Sequence, residues 1–249
     1  MSHVSTYIGE KGYSIYKNSI SIEEQQWIRS ELMVRPYVPK SPIKQPAFPV
    51  YRESPQKLYV PRFFGILHYG MPDEYRISSG IPINVTFNGT LRDEQTKVVS
   101  AYMNAVNSKS GGGGLLDLHC GGGKTVLALN IISRLQVKTL VIVHKSFLLN
   151  QWIERIEQFL PDAKIGRIQG QVIDIEDKDI VIGMLQSLSM KDYPSGLFSV
   201  FGLTLVDECH HISSEVFSRS LLNIVTKYMI GLSATMQRKD GLTPVFKMF

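Results

Sequence analysis

A glycine-rich segment with the sequence LHCGGGKT occupies residues 118–125, between an apolar run and an amphipathic stretch. Small residues in such a strand-to-helix loop let backbone N–H groups turn toward phosphate oxygens, and the helix N-terminus adds partial positive charge. Lys124 would then reach the β- and γ-phosphates of a nucleotide, and the Thr125 hydroxyl would hold Mg²⁺. The pattern predicts a nucleotide-phosphate site whose backbone is supplied by Cys120, Gly121, Gly122 and Gly123.

This loop departs from the strict phosphate-loop pattern at one position. The pattern asks for glycine at position 118, where this chain has Leu118. The alternative interpretation is a glycine-rich turn that is followed by Gly-Lys-Thr by chance. The nearby run 111–114 is also rich in glycine, but it has no lysine and opens no helix, which predicts an ordinary surface turn.

Two adjacent carboxylates follow a second apolar run, LTLV at 203–206. Parallel sheets place their chemistry at the carboxyl ends of strands, which is where Asp207 and Glu208 fall. We expect Asp207 to bind Mg²⁺ through its water shell and Glu208 to orient and deprotonate an attacking water. The alternative is a solvated acidic face. The neighbouring Cys209, His210 and His211 are spaced too tightly to form one tetrahedral metal site.

The composition is that of a globular protein. Hydrophobic residues make up 43% and charged residues 20% of the 249 residues, which excludes wholly disordered, collagen-like and mucin-like chains. Two cysteines cannot form a disulfide framework, so we expect a reducing, intracellular compartment. No apolar run reaches the ~18 residues that span a membrane, and no signal-peptide core is visible, so no membrane partner is expected. The net charge of +5 is compatible with a nucleic-acid partner.

The first third of the chain has its own character, because nine of the twelve prolines lie in residues 1–90. This distribution predicts a small, irregular α+β accessory module over residues 1–85. A helix is expected over 21–32, where Ser21 and Glu24 form a capping-box pattern and Trp27, Ile28 and Leu32 form an apolar face. Residues 36–57 are expected to be an extended connector. Residues 58–67 suggest a strand or a buried strand-turn, which Pro61 would confine to a sheet edge.

Short apolar runs alternate with amphipathic stretches after residue 90. This alternation predicts βαβ units with right-handed crossovers and a doubly wound parallel sheet, hence an α/β fold. Strands are predicted at 115–118, 139–143, 164–168, 179–183, 203–206 and 228–232, and helices at 91–106, 124–135, 147–159 and 214–225.

The segments GGGKT and DECH together resemble those of superfamily-2 helicases and translocases of the DEAD/DEAH-like group. The resemblance covers about residues 88–245. An LRxxQ start, a QW pair after the second strand and a SAT-x-x-R-K-D-G tail are more similar to the XPB/Rad25 branch, which includes transcript-release helicases of poxviruses and related large DNA viruses. The resemblance implies that residues 86–249 form the first of two RecA-like domains.

The resemblance also assigns roles to single residues. Arg92 and Gln95 match the adenine-reading LRxxQ segment. Residues 141–152 resemble motif Ia, although the family more often has Pro-Thr where this chain has His144 and Lys145. Ser233 and Thr235 of the SAT motif, together with His210 of the DECH box, would couple hydrolysis to the grip on the strand. The implied nucleic-acid contacts are Lys145, Gln169, Gly170 and Gln186.

The sequence therefore predicts the N-terminal part of an ATP-dependent helicase or translocase that uses ATP and Mg²⁺ and acts on a single strand of DNA or RNA. A second RecA-like domain would follow in cis, without which the fragment would be nearly inactive. Transcription-complex proteins are possible further partners, and a viral protein would reside in the host cytoplasm or the virion. Two alternatives stay open: a P-loop ATPase that remodels proteins, and a nucleic-acid-binding transcription scaffold centred on residues 1–85.

Overall fold

The computed structural model describes residues 6–36, 45–107, 112–119, 121–212, 215–234 and 243–249. The chain divides into two compact units. The first unit contains residues 1–77, 210–225 and 236–249, and the second contains residues 78–209 and 226–235. The units are therefore not two consecutive pieces of the chain. The assignment of an accessory module to 1–85 and a nucleotide-binding domain to 86–249 stays a prediction.

The described residues form strands and helices that we number along the chain. In order they are β1 Thr6–Gly9, β2 Gly12–Tyr16, α1 Ile22–Glu31, β3 Met33–Val34, β4 Phe48–Pro49, β5 Arg52–Glu53, β6 Lys57–Val60, α2 Arg62–Tyr69, β7 Glu74–Tyr75, α3 Asp93–Asn107, β8 Gly113–Asp117, α4 Lys124–Leu135, β9 Thr139–Val143, α5 Ser146–Phe159, β10 Ile165–Gln169, β11 Val172–Asp174, β12 Ile180–Met184, α6 Leu185–Met190, β13 Leu203–Val206, α7 Glu215–Leu221, β14 Tyr228–Ser233 and α8 Thr243–Met248.

The first unit contains a five-stranded sheet in the order β5-β6-β2-β1-β7. Alternate residues of its strands point to one face, where they pack with residues of α1 and α2. This core contains Ile8, Tyr13, Ile15, Ile28, Leu32, Leu58, Val60 and Phe64. Helix α1 begins as predicted, because the Ser21 hydroxyl oxygen accepts the Glu24 N–H at 3.1 Å.

Two expectations for this unit were wrong. Trp27 was placed on the buried face of α1, but it is 40% exposed and stacks on the Phe64 ring at 5.9 Å. Residues 58–67 are not an edge strand: β6 pairs with both β2 and β5, and Pro61 ends the strand and precedes α2. Proline is well suited to that junction, because its fixed φ fits the start of a helix and it needs no hydrogen-bond partner there.

Gly65 gives a test of this packing. A Cβ atom at Gly65 would lie 2.2 Å from Cγ of the buried Tyr13 ring, so helix α2 would have to move away from the sheet. We expect Gly65→Ala to destabilise the unit by about 1–3 kcal/mol, the usual cost of overpacking. Denaturant unfolding followed by circular dichroism measures the change. Leu67→Ala, in the same helix but at a 78% exposed position, is the control and should have little effect.

The second unit contains a seven-stranded sheet in the order β11-β10-β12-β9-β13-β14-β8. Every adjacent pair is parallel except β10 and β11. The central strands β9, β12 and β13 are buried along their whole length, as expected for strands that are covered on both faces. The predicted α/β class and parallel sheet are confirmed.

Most of the elements predicted after residue 90 lie within two residues of their observed bounds, but helix α6 was not predicted and three further elements differ. Gly113 and Gly114 belong to β8 rather than to a surface turn, because they pair with Met229 and Ile230 of β14. Helix α7 is shorter than the predicted 214–225. Strand β11 was not predicted, since it is a three-residue hairpin partner of β10 with two exposed residues. Among the described residues, no helix is both long and apolar enough to cross a membrane.

Candidate active site

The order of the strands brings the predicted motifs together at one edge of the sheet. Neighbouring strands β8, β14, β13, β9 and β12 are parallel, so their carboxyl ends lie side by side. The phosphate loop follows β8, the SAT segment begins at the end of β14, and the acidic pair follows β13. The sheet therefore brings together residues that are far apart in sequence, as parallel sheets do when they form binding sites.

The phosphate loop has the backbone that its glycines predict. Gly121 and Gly123 both have φ of 82°, in the left-handed region that glycine adopts without strain. Gly122 N–H donates to the His119 carbonyl at 3.0 Å and closes the turn. The twelve-residue helix α4 begins at Lys124, so its free N–H groups and partial positive charge lie at the loop. These features fit a nucleotide phosphate.

Arg92 and Gln95 contact this loop directly. Their side chains donate to the same Gly122 carbonyl, Arg92 Nη2 at 3.2 Å and Gln95 Nε2 at 3.1 Å. The Gln95 Oε1 atom accepts the Arg92 N–H at 2.9 Å, which fixes the orientation of the amide. A Cβ atom at Gly123 would lie 2.4 Å from Gln95 Nε2, so this contact also requires glycine. The LRxxQ residues and the loop therefore form one hydrogen-bonded unit.

Lys124 lies next to the acidic pair. Its Nζ atom is 3.2 Å from Glu208 Oε1, and the two side chains are only 13% and 27% exposed. Partial burial strengthens such a pair relative to a fully exposed one. Glu208 has φ of 49°, which is uncommon outside glycine and stores local strain of the kind found at functional sites. The cation for the phosphates and the candidate base thus lie in direct contact.

Asp207 is held by two hydrogen bonds, one to each carboxylate oxygen. Trp152 Nε1 donates to Oδ2 at 2.9 Å, and the Glu208 N–H donates to Oδ1 at 2.9 Å. Burial raises the pKa of the Asp207 carboxyl above its ordinary value, while the hydrogen bond from Trp152 favours the ionised form and offsets part of this effect. Asp207 therefore has one fixed orientation in a largely dry environment.

A cavity of about 240 Å³ adjoins these groups. Thr125 and Asp207, the two predicted Mg²⁺ ligands, both line it, and hydroxyl and carboxylate oxygens are ligands that Mg²⁺ prefers. Within the described part of the chain, no three His, Cys, Asp or Glu side chains are grouped to hold a metal by themselves. The site suits an ion that takes most of its ligands from water and phosphate. The lining residues are Thr125, Gln151, Trp152, Glu154, Arg155 and Asp207.

Cys209 follows the acidic pair and is fully buried. Burial raises the pKa of its thiol to about 12, so the thiol is protonated at neutral pH and is a poor metal ligand. Its side chain packs against strand β14 at Gly231, where an added Cβ atom would lie 3.0 Å from Cys209 Sγ. Cys209 therefore packs in the core beneath the acidic pair.

The predicted nucleic-acid contacts form a second, exposed group. Gly170 N–H donates to Ser187 Oγ at 2.9 Å, and Lys191 Nζ donates to the Gly170 carbonyl. Gln186 Nε2 donates to the His144 carbonyl at 3.0 Å, which ties α6 to the end of β9. Gln169 is half-buried at the end of β10. Lys145 is exposed, with its ammonium 5.8 Å from the Phe147 ring.

The remaining predicted residues are placed only in part. Ser233 is fully buried at the end of β14, where its carbonyl accepts the Leu118 N–H at 3.1 Å, so the SAT strand and the phosphate-loop strand are joined. His210 lies in a 3-10 turn, Cys209–Ile212. Cys120, Thr235 and the tail at 238–241 lie outside the described residues.

Trp152 entered the motif analysis only as part of the QW pair, and that analysis assigned it no role. It is 1% exposed in α5, on the apolar stripe with Leu149 and Ile156. A buried tryptophan needs a hydrogen-bond acceptor for its N–H. Because α5 follows β9, this requirement could have indicated an acceptor at the carboxyl edge of the sheet, near the end of β9. The sequence does not show which acceptor it is, because Asp207 is 55 residues away.

The hydrogen bond from Trp152 can be tested with a fluorescent ATP analogue. Trp152→Phe keeps most of the ring volume but removes the donor, and a hydrogen bond to a charged group contributes about 1.5–3 kcal/mol. We expect the Mg²⁺ concentration for half-maximal analogue binding to the full-length protein to rise about tenfold or more, with Mg²⁺-free binding less affected. Trp27→Phe, at the half-exposed tryptophan of α1, is the matched control. An unchanged Mg²⁺ dependence in Trp152→Phe would show that Asp207 is oriented in another way.

Comparison with known proteins gives a family for this arrangement. The family described as "Type III restriction enzyme, res subunit" matches residues 88–238. The chain is 34% identical to "Putative ATP-dependent RNA helicase L396" of Acanthamoeba polyphaga mimivirus, over 100% of this chain and 48% of that protein. It is 35% identical to "DNA 3'-5' translocase XPB2" of Sulfurisphaera tokodaii, over 61% of this chain and 32% of that protein. The chain thus spans about half the length, or less, of these relatives.

Solved structures agree on the fold. The UvsW helicase from bacteriophage T4 has a TM-score of 0.61 at 15% identity, over 99% of this chain and 97% of that chain. The Sulfolobus solfataricus SWI2/SNF2 ATPase core in complex with dsDNA has a TM-score of 0.55 at 23% identity, over 68% of this chain and 37% of that chain. These likenesses concern the fold alone, and they confirm the RecA-like α/β architecture. Because the family match covers more than half of the chain and includes both the phosphate loop and the acidic strand end, the chain belongs to this family of superfamily-2 ATP-dependent helicases.

Proposed function

We propose that the chain is the N-terminal half of an ATP-dependent helicase or translocase, in which ATP hydrolysis moves the protein along a nucleic-acid strand. The observation that carries this proposal is the contact between Lys124 and Glu208 at 3.2 Å, beside an Asp207 whose two oxygens are both hydrogen-bonded. A phosphate-binding cation, a candidate general base and a fixed metal-binding carboxylate within one group are the parts that phosphoryl transfer to water requires.

The roles follow from the geometry together with the family resemblance. The loop N–H groups and Lys124 would bind the phosphates, and nucleotide binding would compete with Glu208 for the Lys124 ammonium. Glu208, once released, would be free to orient and deprotonate the attacking water. Thr125 and Asp207 would hold Mg²⁺, which when bound neutralises charge on the phosphates. Arg92 and Gln95 would contact the adenine, and their hydrogen bonds to the Gly122 carbonyl would couple adenine binding to the conformation of the loop.

A second RecA-like domain would complete the cleft in cis. The chain spans 48% of its mimivirus relative, which leaves room for such a domain in a full-length protein. That domain would supply the arginine finger, a group worth about 10³–10⁵ in rate in related phosphoryl transfer. We therefore expect the 249 residues alone to bind ATP weakly and to hydrolyse it very slowly.

The finer placement within the superfamily is also a proposal. The similarity to a protein named as an XPB translocase and to viral helicases supports the XPB/Rad25-like branch, of the kind that large DNA viruses use in transcription. A reducing compartment, such as host cytoplasm or the virion, fits the buried free thiol of Cys209. Residues 1–85 would serve as an accessory module with transcription-complex proteins as further partners.

The test is an ATPase assay on the full-length protein with and without single-stranded DNA or RNA. Strand-stimulated hydrolysis is the expected result, and Gln186→Ala should reduce the stimulation while leaving basal hydrolysis intact. Hydrolysis that responds to neither nucleic acid but responds to a protein substrate would favour the P-loop ATPase that remodels proteins. Comparison of the two strands also assigns DNA or RNA as the preferred substrate.

A further inference from the structure

One face of the five-stranded sheet in the first unit carries aromatic and basic side chains instead of apolar ones. The strand register places Tyr7 of β1 opposite Ser14, Ser14 opposite Tyr59, and Tyr16 opposite Lys57. Because side chains alternate along a strand, these residues share the face opposite to the core of Ile8, Ile15 and Leu58. We call the set Tyr7, Tyr16, Tyr59, Lys11, Lys57 and Arg76 the tyrosine–cation face.

The cations of this face lie directly over its rings. Lys57 Nζ is 5.0 Å from the centre of the Tyr7 ring and 4.5 Å from that of Tyr16. The Arg76 guanidinium lies 4.1 Å from the Tyr7 centre, on the same unit. Lys11, in the β1–β2 turn, lies 5.2 Å from the Tyr59 centre. The Tyr7 and Tyr16 rings are themselves 6.1 Å apart.

Four ring–cation contacts lie close together in this part of the chain. Strong cation–π pairs occur about once per 70–80 residues in proteins, whereas four lie here between Tyr7 and Arg76. Most of the face is also accessible: Lys11 and Arg76 are exposed, and Tyr7, Tyr16 and Lys57 are half-exposed, whereas Tyr59 is only 9% exposed. The charge of the face is mainly positive. Among the described contacts of its cations, one involves a carboxylate: Arg76 pairs with Glu74.

We propose that the tyrosine–cation face binds single-stranded nucleic acid, independently of the ATP site. Bases would stack on the tyrosine rings, taking the place of the cations that now cover them, and Lys11, Lys57 and Arg76 would move to the phosphates. Alternating rings and cations on an open sheet match the repeat of a single strand, which presents a base and a phosphate at each step. A duplex hides its bases, so it offers the rings nothing to stack on.

The proposal rests on the proposed function in one respect, namely that nucleic acid is the ligand. It adds a second point of attachment, on the first unit, to the predicted nucleic-acid contacts Lys145, Gln169, Gly170 and Gln186 of the second unit. A nucleic-acid strand bound at this face would remain attached to the protein during the step of the ATPase cycle in which the contacts of the second unit release it. The expected consequence is tighter binding of strands long enough to reach both sites.

The test measures binding of a fluorescent oligonucleotide to the full-length protein by anisotropy at several salt concentrations. Replacing Lys11, Lys57 and Arg76 with Gln should weaken binding and lower the salt slope by about 2, because each single-strand phosphate contact contributes about 0.7. The control replaces Lys97, Arg134 and Lys164, three exposed cations of the second unit, with Gln. A loss of the same size in the control would show that only overall charge matters and would overturn the proposal.

Stacking is tested separately from charge. Tyr7→Leu with Tyr16→Leu should weaken binding at least about 30-fold, because each lost base stack costs about 5-fold or more, whereas Tyr7→Phe with Tyr16→Phe should bind nearly as the wild type does. Leu and Phe variants of equal affinity, or equal affinity for duplex and single strand, would contradict the proposal. ATP hydrolysis without nucleic acid serves as the second readout and should be unchanged in all these variants. Strand binding by a wild-type protein that hydrolyses no ATP would support this site and refute the helicase function instead, whereas a wild-type protein that binds no strand would refute the site.

Discussion

Lys124→Ala should lower ATP hydrolysis by the full-length protein about 10²–10³-fold, the usual effect of removing one positioned charge from a transition state. The Lys124 ammonium belongs to the first residue of α4, beside the loop that would bind the phosphates, and it is 3.2 Å from Glu208. Without it, the negative charge that develops during phosphoryl transfer loses a protein cation at the loop. The loop N–H groups remain, so some nucleotide affinity should persist.

The measurement is steady-state phosphate release with saturating ATP and Mg²⁺. Lys97→Ala removes an exposed cation of α3 in the same unit and should hydrolyse ATP at the wild-type rate. Circular dichroism shows whether both variants are folded. Turnover of Lys124→Ala within a few-fold of wild type would mean that the loop does not bind the reacting phosphates.

The parts of the site that lie close together in sequence could be predicted, because local rules determine them. The bounds of α4 and β9 were predicted correctly from apolar periodicity and from the Gly-Lys-Thr start of the helix. The acidic pair was placed correctly at the end of β13 for the same reason. Each of these features depends on a few consecutive residues, whose pattern can be recognised from the sequence alone.

Contacts between distant segments could not be predicted in the same way. The hydrogen bonds from Arg92 and Gln95 to Gly122 depend on how α3 packs beside α4, and the bond from Trp152 to Asp207 depends on the placement of α5. The motif identified Gln95 as functional but assigned it to adenine alone. The structure adds a contact to the loop, which the motif does not contain.

The first unit shows the same limit more strongly. Nine prolines in residues 1–90 indicated irregular structure, yet β6 is an inner strand of a five-stranded sheet and α2 follows it at once. Pro61 was interpreted through its missing N–H, which disfavours a central strand. Its place one residue after the strand, at the start of a helix, satisfies that requirement. The fold of this unit therefore depends more on the pairing of its short strands than on its local composition.

Glu208→Gln should also abolish most ATP hydrolysis, but it should leave nucleotide binding intact. Glutamine keeps the size of the side chain and can still accept a hydrogen bond from Lys124 through its carbonyl oxygen. It cannot take a proton from water, and loss of a general base lowers rates by about 10²–10⁴. Removing the carboxylate also removes the ion pair that competes with phosphate for Lys124, so ATP should bind at least as tightly as in the wild type.

Paired measurements of binding and turnover on the full-length protein distinguish the two roles. A fluorescent ATP analogue reports affinity, and phosphate release reports hydrolysis, with Glu157→Gln on the exposed side of α5 as the matched control. Lys124→Ala should lose part of its nucleotide affinity and most of its turnover, whereas Glu208→Gln should lose turnover alone. A Glu208→Gln protein that is folded but binds no nucleotide would show that Glu208 supports the loop and that the base lies elsewhere.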